Sequence, residues 1–416
     1  MTTDEAPAWG GHLKGTTEYR RILAGLFFAG FATFAQLYSP QAALPQIAAE
    51  FGVGAAGSAL AVSAATVGLA VGVIPWSVVA DHAGRVRSMA IAVIAASILG
   101  LLVPFAPTFP LFLTGRFFEG MMLGGVPAIA IAYLSEEIHQ SHATRAAGTY
   151  IAGTSVGGLL GRVVTGPVAE LTSWRGGVLA VAVLCSAAAG LFIWLAPAAR
   201  GFVARRDRPG GVRKLSLRQR LAANLRSPRQ FALYAQAFLL MGGFVALYNY
   251  LGFRLALAPF SMPPAFISLV FVAYLAGTWS SAQAGVLAGR VGRRPVLLVS
   301  IAVMVAGVLL TLVPVTIPVL VGLVLATIGF FAAHSIASGW TAAEASVGRA
   351  QASSLYNLSY YAGSSLFGFL GGVFFDAGGW SATAAMIATL AVVAGALALF
   401  VLRPGTGRGT GTPSPL

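Results

Sequence analysis

Apolar runs of roughly 20 residues, each long enough to cross a bilayer as a helix, recur from the N-terminal region of the chain to its C-terminus. Inside a bilayer every backbone N–H and C=O must find a partner within the protein, so such runs fold as helices packed on one another. Twelve spans are expected, at about residues 22–45, 58–80, 88–107, 109–134, 146–169, 174–196, 230–257, 265–287, 295–315, 318–343, 350–374 and 380–402, numbered one to twelve below, with ends good to about four residues. Charged residues are only 9% of the chain, against about 25% in soluble domains. A water-soluble globular enzyme is excluded, and the fold class is an all-α polytopic membrane protein.

The net charge of +14 would suggest nucleic acid as a partner of a soluble protein, but its placement argues otherwise. With twelve spans, all but four of the 26 Lys and Arg residues fall on one side, including the run Arg200, Arg205, Arg206, Arg208, Arg213, Lys214, Arg218, Arg220, Arg226 and Arg229. The four exceptions are Arg116, Arg162, Arg175 and Arg254. Short loops rich in Lys and Arg stay cytoplasmic, so both termini and the central loop are expected in the cytoplasm of a bacterial cell, with the protein in its inner membrane. The basic side also suits anionic headgroups of membrane lipids, and no nucleic-acid partner is expected.

Residues 1–21 are expected to form a cytoplasmic tail, 22–196 a six-helix bundle, 197–229 a basic linker, 230–402 a second six-helix bundle and 403–416 a disordered tail. Leu215 to Leu225 has the pattern of a short amphipathic helix on the membrane surface. The first apolar stretch is too long for a signal-peptide core and is expected to be retained as a span. The halves repeat one another. Asp81 to Arg85 answers to Gly289 to Arg293, and Tyr150, Gly157, Gly166 and Trp174 answer to Tyr356, Gly363, Gly372 and Trp380. Two matches in the same order on either side of a basic loop point to an internal duplication, an architecture that places a site between pseudo-symmetric halves in many secondary transporters.

Ser77-Val78-Val79-Ala80-Asp81-His82-Ala83-Gly84-Arg85-Val86-Arg87, after span two, resembles the G-x-x-x-D-R-x-G-R-R/K signature of the major facilitator superfamily. Asp81, Gly84, Arg85 and Arg87 match, while Ser77 and His82 depart. The second copy, Gly285 to Arg294, keeps Arg290 and Arg293 but has Gly289 in place of the acid. A carboxylate at a helix end can pair with guanidinium groups and with a neighbouring helix N-terminus. The resemblance therefore implies a gate made by Asp81, Gly84, Arg85, Arg87, Arg290 and Arg293; the plainer reading is a positive-inside turn.

Span four carries Arg116-Phe117-Phe118-Glu119-Gly120, which looks like the R-x-x-Q/E-G element of the superfamily's proton-coupled members. Residues i and i+3 share one helix face, and ionisable groups at this depth face cavities and have partners. Of the twelve acids only Glu119 is expected deep in a span, so Glu119 and Arg116 are the candidates for proton coupling; a self-neutralising buried pair is the alternative. Span five carries Gly153, Gly157 and Gly161, a partial match to the antiporter G-x-x-x-G-P stretch with Gly158 at the proline. Small residues at this spacing let helices touch backbone to backbone, either as a seal between the halves or as ordinary packing. Arg162 either joins Arg116 and Glu119 in one cluster with surplus positive charge, suited to an anionic substrate group, or snorkels towards the headgroups.

The resemblance further implies that spans one, four, seven and ten line a central path. Gln36, Tyr38 and Gln41 would then face a cavity with Asn249, Tyr250 and His334, and span eleven would add Tyr356, Asn357, Tyr360 and Tyr361. Aromatic walls with a few amides suit amphipathic organic molecules; some tyrosines are equally suited to anchoring at the membrane surface. His334 is either a proton relay or a neutral hydrogen-bonding residue.

No phosphate-binding loop surrounds either lysine, Lys14 or Lys214. The single Cys185 forms no intrachain disulfide, and no Cys/His cluster has zinc spacing. No cofactor and no metal are expected. Within the superfamily the sequence looks most like bacterial drug:proton antiporters. The function expected is export of a small organic compound in exchange for protons by a monomer. A proton symporter, a uniporter, a lipid-handling transporter and, more remotely, a membrane-embedded transferase are the alternatives.

Overall fold

The structure is a computed structural model, which describes residues 9–201 and 217–403. Residues 1–8, 202–216 of the basic linker and 404–416, expected above to be tail or linker, lie outside the described residues.

Ten segments are long and apolar enough to cross a membrane. Their bounds are Thr17–Phe51, Ala55–Ala83, Arg85–Phe105, Phe109–Glu137, Trp174–Leu195, Pro228–Ala256, Pro264–Val291, Arg293–Leu310, Thr316–Glu344 and Gln351–Phe400. The helix Ala143–Leu171, which carries Arg145, Arg162 and Glu170, is more polar but just as long. The helix Arg349–Phe400 is two spans, broken where Gly378 and Gly379 leave helical φ/ψ. The result is the expected all-helical membrane fold of twelve spans. Large apolar side chains exposed on its flanks, such as Ile74 and Ile317, are as suited to lipid as they would be unsuited to water. The amphipathic helix expected from Leu215 begins, among the described residues, at Leu217 and ends at Leu225.

Span one is longer than its hydropathy suggests. It narrows to a tighter turn over Ser39–Ala43, where Pro40 removes a backbone donor, and resumes as Leu44–Phe51. Gly52, at φ +63°, ends it.

The duplication is visible in the backbone. Gly84 has φ 91° and ψ 156°, and Gly292 has φ 91° and ψ 158°. That region is essentially closed to residues with a Cβ, so each repeat turns from one span into the next on an obligatory glycine.

Trp9 donates from Nε1 to the Glu136 carbonyl, and Arg229 donates from Nη1 to the Arg403 carbonyl. The backbone amides of Arg200 and Gly201 donate to Glu137. Both ends of the described chain and the borders of the linker therefore share one face, here called the terminal face. Hydrogen bonds joining the two halves among the described residues lie elsewhere, from mid-membrane to the opposite face. Thr66 and Ser63 meet Ser365, Gln41 meets Asn249, Glu170 meets Ala265, and Asp376 meets Ala55 and Ala56. At the terminal face Gly285, Gly289 and Gly339 have no neighbour within reach of an added Cβ. The halves are thus held together away from the terminal face, where no hydrogen bond joins them among the described residues; the space between them is called the cleft below.

Candidate transport site

The narrowing of span one creates the first polar cluster. Pro40 offers no N–H to the Gln36 carbonyl four residues earlier, and the Ser39 hydroxyl and the guanidinium of Arg116 donate to it instead. Arg116 is fully buried. It donates to the carbonyls of Ala61 at 3.0 Å, Gln36 at 3.3 Å and Leu37 at 2.6 Å, and from Nη1 to Glu119 Oε2 at 2.6 Å. The other Glu119 oxygen accepts from Gln36 Nε2 at 2.7 Å, and the same nitrogen donates to the Ala96 carbonyl. Gly100 makes room, since a Cβ there would collide with the Gln36 amide. The expected i, i+3 pair is present, and it holds span one to spans two, three and four. Glu119 is not alone in being buried, because Glu137 is equally shielded at the terminal-face end of span four.

Arg162 forms a second cluster and does not join the first. Its Nε donates to Gln41 Oε1 at 2.6 Å and its Nη1 to the Gly158 carbonyl at 2.5 Å. Gly158, at the position of the family's proline, would bring an added Cβ to 3.3 Å from Nη1. The guanidinium carbon lies 4.2 Å from the centroid of the Tyr38 ring, and 5.0 Å from those of Phe271 and Tyr274 in the other half. Arg162 is 3% exposed, so the snorkelling alternative is corrected: aromatic faces hold the cation inside. Gln41 passes the contact across the cleft, donating from Nε2 to Asn249 Oδ1 at 2.6 Å.

The remaining cavity candidates separate. His334 is stacked on Phe330, accompanied by the Tyr360 ring at 5.0 Å, and its Nδ1 is 3.0 Å from the Tyr356 hydroxyl. Asn357 is exposed. Tyr250 is corrected: it is fully buried, its hydroxyl donates to the Gly368 carbonyl, and its ring stacks on Phe375, which makes it packing between spans seven and eleven.

At the terminal face Arg85 Nη1 bonds Asp81 at 2.9 Å, while its Nε and Nη2 grip both oxygens of Glu136 at 3.0 and 2.8 Å. Gly84 supplies the turn. This triad lies wholly in the first half, so the expected gate across the bundles is corrected for this state. Arg87, Arg290 and Arg293 are exposed and make no hydrogen bond or ion pair among the described residues. Among the described residues no hydrogen bond joins the halves at this face, and the motif's charges pair within their own half.

Gly153, Gly157 and Gly161 lie against the backbone of Phe27, Phe31 and Ala35, where a Cβ would come within 2.4 Å of their carbonyl oxygens. They pack span five on span one inside the first half, which corrects the reading as a seal between halves. Gly363 does the same in the repeat, against Phe238.

The halves are joined at the opposite face by two acids, Asp376 and Glu170, for which sequence motifs alone suggest no role. Asp376, at the end of span eleven, accepts from the amides of Ala55 and Ala56 at 3.0 and 3.2 Å, at the start of span two. Glu170, at the end of span five, accepts from the Ala265 amide at 2.9 Å, at the start of span eight. A carboxylate at a helix N-terminus satisfies orphan donors and complements the helix dipole. Glu170 and Asp376 stand 206 residues apart, the offset that already relates Gly157 to Gly363, so the repeat itself signals them. Glu136, Phe271 and Tyr274 carried no such signal.

Two helical halves around a cleft, with paired and unpaired charges at their contact, define a membrane transporter. The family model of the Major Facilitator Superfamily matches residues 26–281 and 242–415, and the chain belongs to that family. It is 41% identical to the inner membrane transport protein YnfM of Escherichia coli (strain K12) over 381 residues, 92% of this chain and 90% of that one. It is 36% identical to the uncharacterized MFS-type transporter YybF of Bacillus subtilis (strain 168), over 92% of this chain and 93% of the other. Among solved structures, the fold matches an inward-facing, occupied bacterial homolog of the human lysosomal transporter Spinster with a TM-score of 0.78 at 16% identity, covering 92% and 97% of the two chains. The nucleoside transporter NupG matches with a TM-score of 0.74 at 14% identity, over 91% and 99%.

Proposed function

We propose that the protein is a secondary active transporter of the bacterial inner membrane that exports a small organic compound in exchange for protons. The observation that carries this reading is the Arg116–Glu119 pair. It is a proton-accepting carboxylate, buried to 1% exposure, bonded through Gln36 to a span that also reaches the cleft. A proton arriving on Glu119 removes its charge, leaves Arg116 uncompensated and weakens the hold on span one. Buried charge pairs are costly to break, which makes protonation an event the whole half can feel.

The terminal face is the cytoplasmic one, in keeping with its load of Lys and Arg, and the cleft is then open to the cytoplasm. In the alternate state the Asp376 and Glu170 caps release and the opposite face opens. Asp81, Arg87, Arg290 and Arg293 close the cytoplasmic face in that state. The transport unit is the monomer, in contact with membrane lipids.

The test is reconstitution in liposomes with an internal pH dye, screening candidate organic solutes against wild type and Glu119→Gln. Substrate-driven proton movement opposite to substrate, absent in the variant, is the expected result. Proton movement in the same direction makes the protein a symporter. Substrate movement in both proteins with no proton flux makes it a uniporter and overturns the coupling role of Glu119. Covalent change in the solute makes it a transferase.

A further inference from the structure

Three arginines in the spans are buried: Arg85, Arg116 and Arg162. The first is held by Asp81 and Glu136 and the second by Glu119, whereas no carboxylate among the described residues pairs with Arg162. A guanidinium keeps its proton in a protein, so this site carries a full positive charge with no negative one beside it. Its hydrogen bonds use Nε and Nη1, and Nη2 has no acceptor among the described residues. The neighbouring amide has the same shortage: Asn249 Nδ2 is buried without an acceptor, while its Oδ1 is taken by Gln41. Three rings surround the cation, of which Tyr274 is partly exposed, as are Tyr360 and Tyr361 of span eleven.

Donors without acceptors, positive charge without negative, and flat apolar walls together describe a receptor. The structure assigns Arg162, with Asn249, as the recognition site for the anionic group of an organic anion whose planar apolar body lies among the tyrosines. A carboxylate, sulfonate or phosphonate supplies what the cluster lacks: acceptor oxygens that a guanidinium fork matches, and the missing charge. Rings of a planar solute stack on tyrosine faces and lose little conformational freedom on binding. The inference deepens the transport reading and rests on it only in taking the cleft as the substrate's path.

Equilibrium binding to the purified full chain in detergent tests it, with no gradient applied. The probes share one skeleton: naphthoate, naphthalenesulfonate, naphthamide and naphthylmethylammonium. At least one anion is expected to bind about tenfold or more tightly than the amide, the size of one charge-assisted hydrogen bond, and the ammonium weakest. Arg162→Gln erases the preference. Arg162→Lys, which keeps the charge and loses the fork, retains part of it. The wild-type ranking needs no variant, so it stands even if Arg162→Gln folds poorly. Anions that bind no better than the amide, or a preference that survives in Arg162→Gln, overturn the assignment. Absence of substrate-driven proton flux in wild-type liposomes with anion preference intact overturns the coupling reading alone; the converse overturns only the assignment made here.

Discussion

Arg116 and Arg162 lie on neighbouring helices, both touch span one, and both are shielded from solvent. One is closed in upon itself. Arg116 spends its donors on three backbone carbonyls and a carboxylate three residues away, all within one half of the molecule. The other spans the cleft. Arg162 has no carboxylate partner among the described residues and rests on rings of the facing half. A saturated cluster can hold a proton balance, whereas an unsaturated one can accept a ligand. The same residue type therefore serves coupling in one place and recognition in the other, and the difference is set by one acid.

The contrast is sharpest in stability. Glu119→Gln strands a guanidinium that cannot neutralise itself and is expected to cost about 3 kcal/mol or more, read as a lowered melting temperature in detergent. Arg116→Gln combined with Glu119→Gln is expected to cost less than Glu119→Gln alone, because no charge is left unpaired. A double variant no more stable than the single one breaks this account of the pair.

Arg162→Gln strands no charge. It loses hydrogen bonds from a charged donor, worth about 1.5–3 kcal/mol, but also removes a buried charge that has no counter-ion among the described residues, so its net effect on melting is expected to be the smaller of the two. A loss as large as that of Glu119→Gln makes Arg162 a structural clamp.

The caps at the closed face give the next effect. Asp376→Ala removes a helix cap worth about 1 kcal/mol. It is expected to shift the balance about fivefold towards the state open at that face, measured as spin-label distances across the ends of spans two and eleven. Unchanged distances place the closing energy elsewhere. Arg290→Gln is the smallest change, because an exposed arginine with no partner among the described residues contributes within about 0.5 kcal/mol. A marked loss of stability shows a contact at the terminal face that the open cleft does not make.

What was legible in sequence divides along the same line. Span positions follow from hydropathy, because lipid imposes one length and one polarity on every crossing helix. The Arg116–Glu119 pair follows from spacing on a single helix, and the obligatory Gly84 turn follows from its motif. Contacts between distant segments were not legible in that way. Nothing near Asp81 announces Glu136, 55 residues on, as the acid that shares Arg85. Nothing near Arg162 tells that rings of span eight will shield it, so snorkelling and burial stood level. The resemblance also implied that Tyr250 faces the cavity with Asn249, yet its hydroxyl is turned to the Gly368 carbonyl of span eleven. Asp376 and Glu170 are the instructive pair. Each is unremarkable by itself, but the repeat offset relates them, and their shared task at two helix starts is what a duplicated fold asks of equivalent positions.

The most direct test of the central claim is accumulation of substrate in liposomes against its own gradient, driven by an imposed pH gradient, beside substrate exchange with no gradient. The account predicts that Glu119→Gln loses accumulation and retains exchange, since recognition at Arg162 is separate from the proton site. Accumulation at the wild-type level in Glu119→Gln would contradict it.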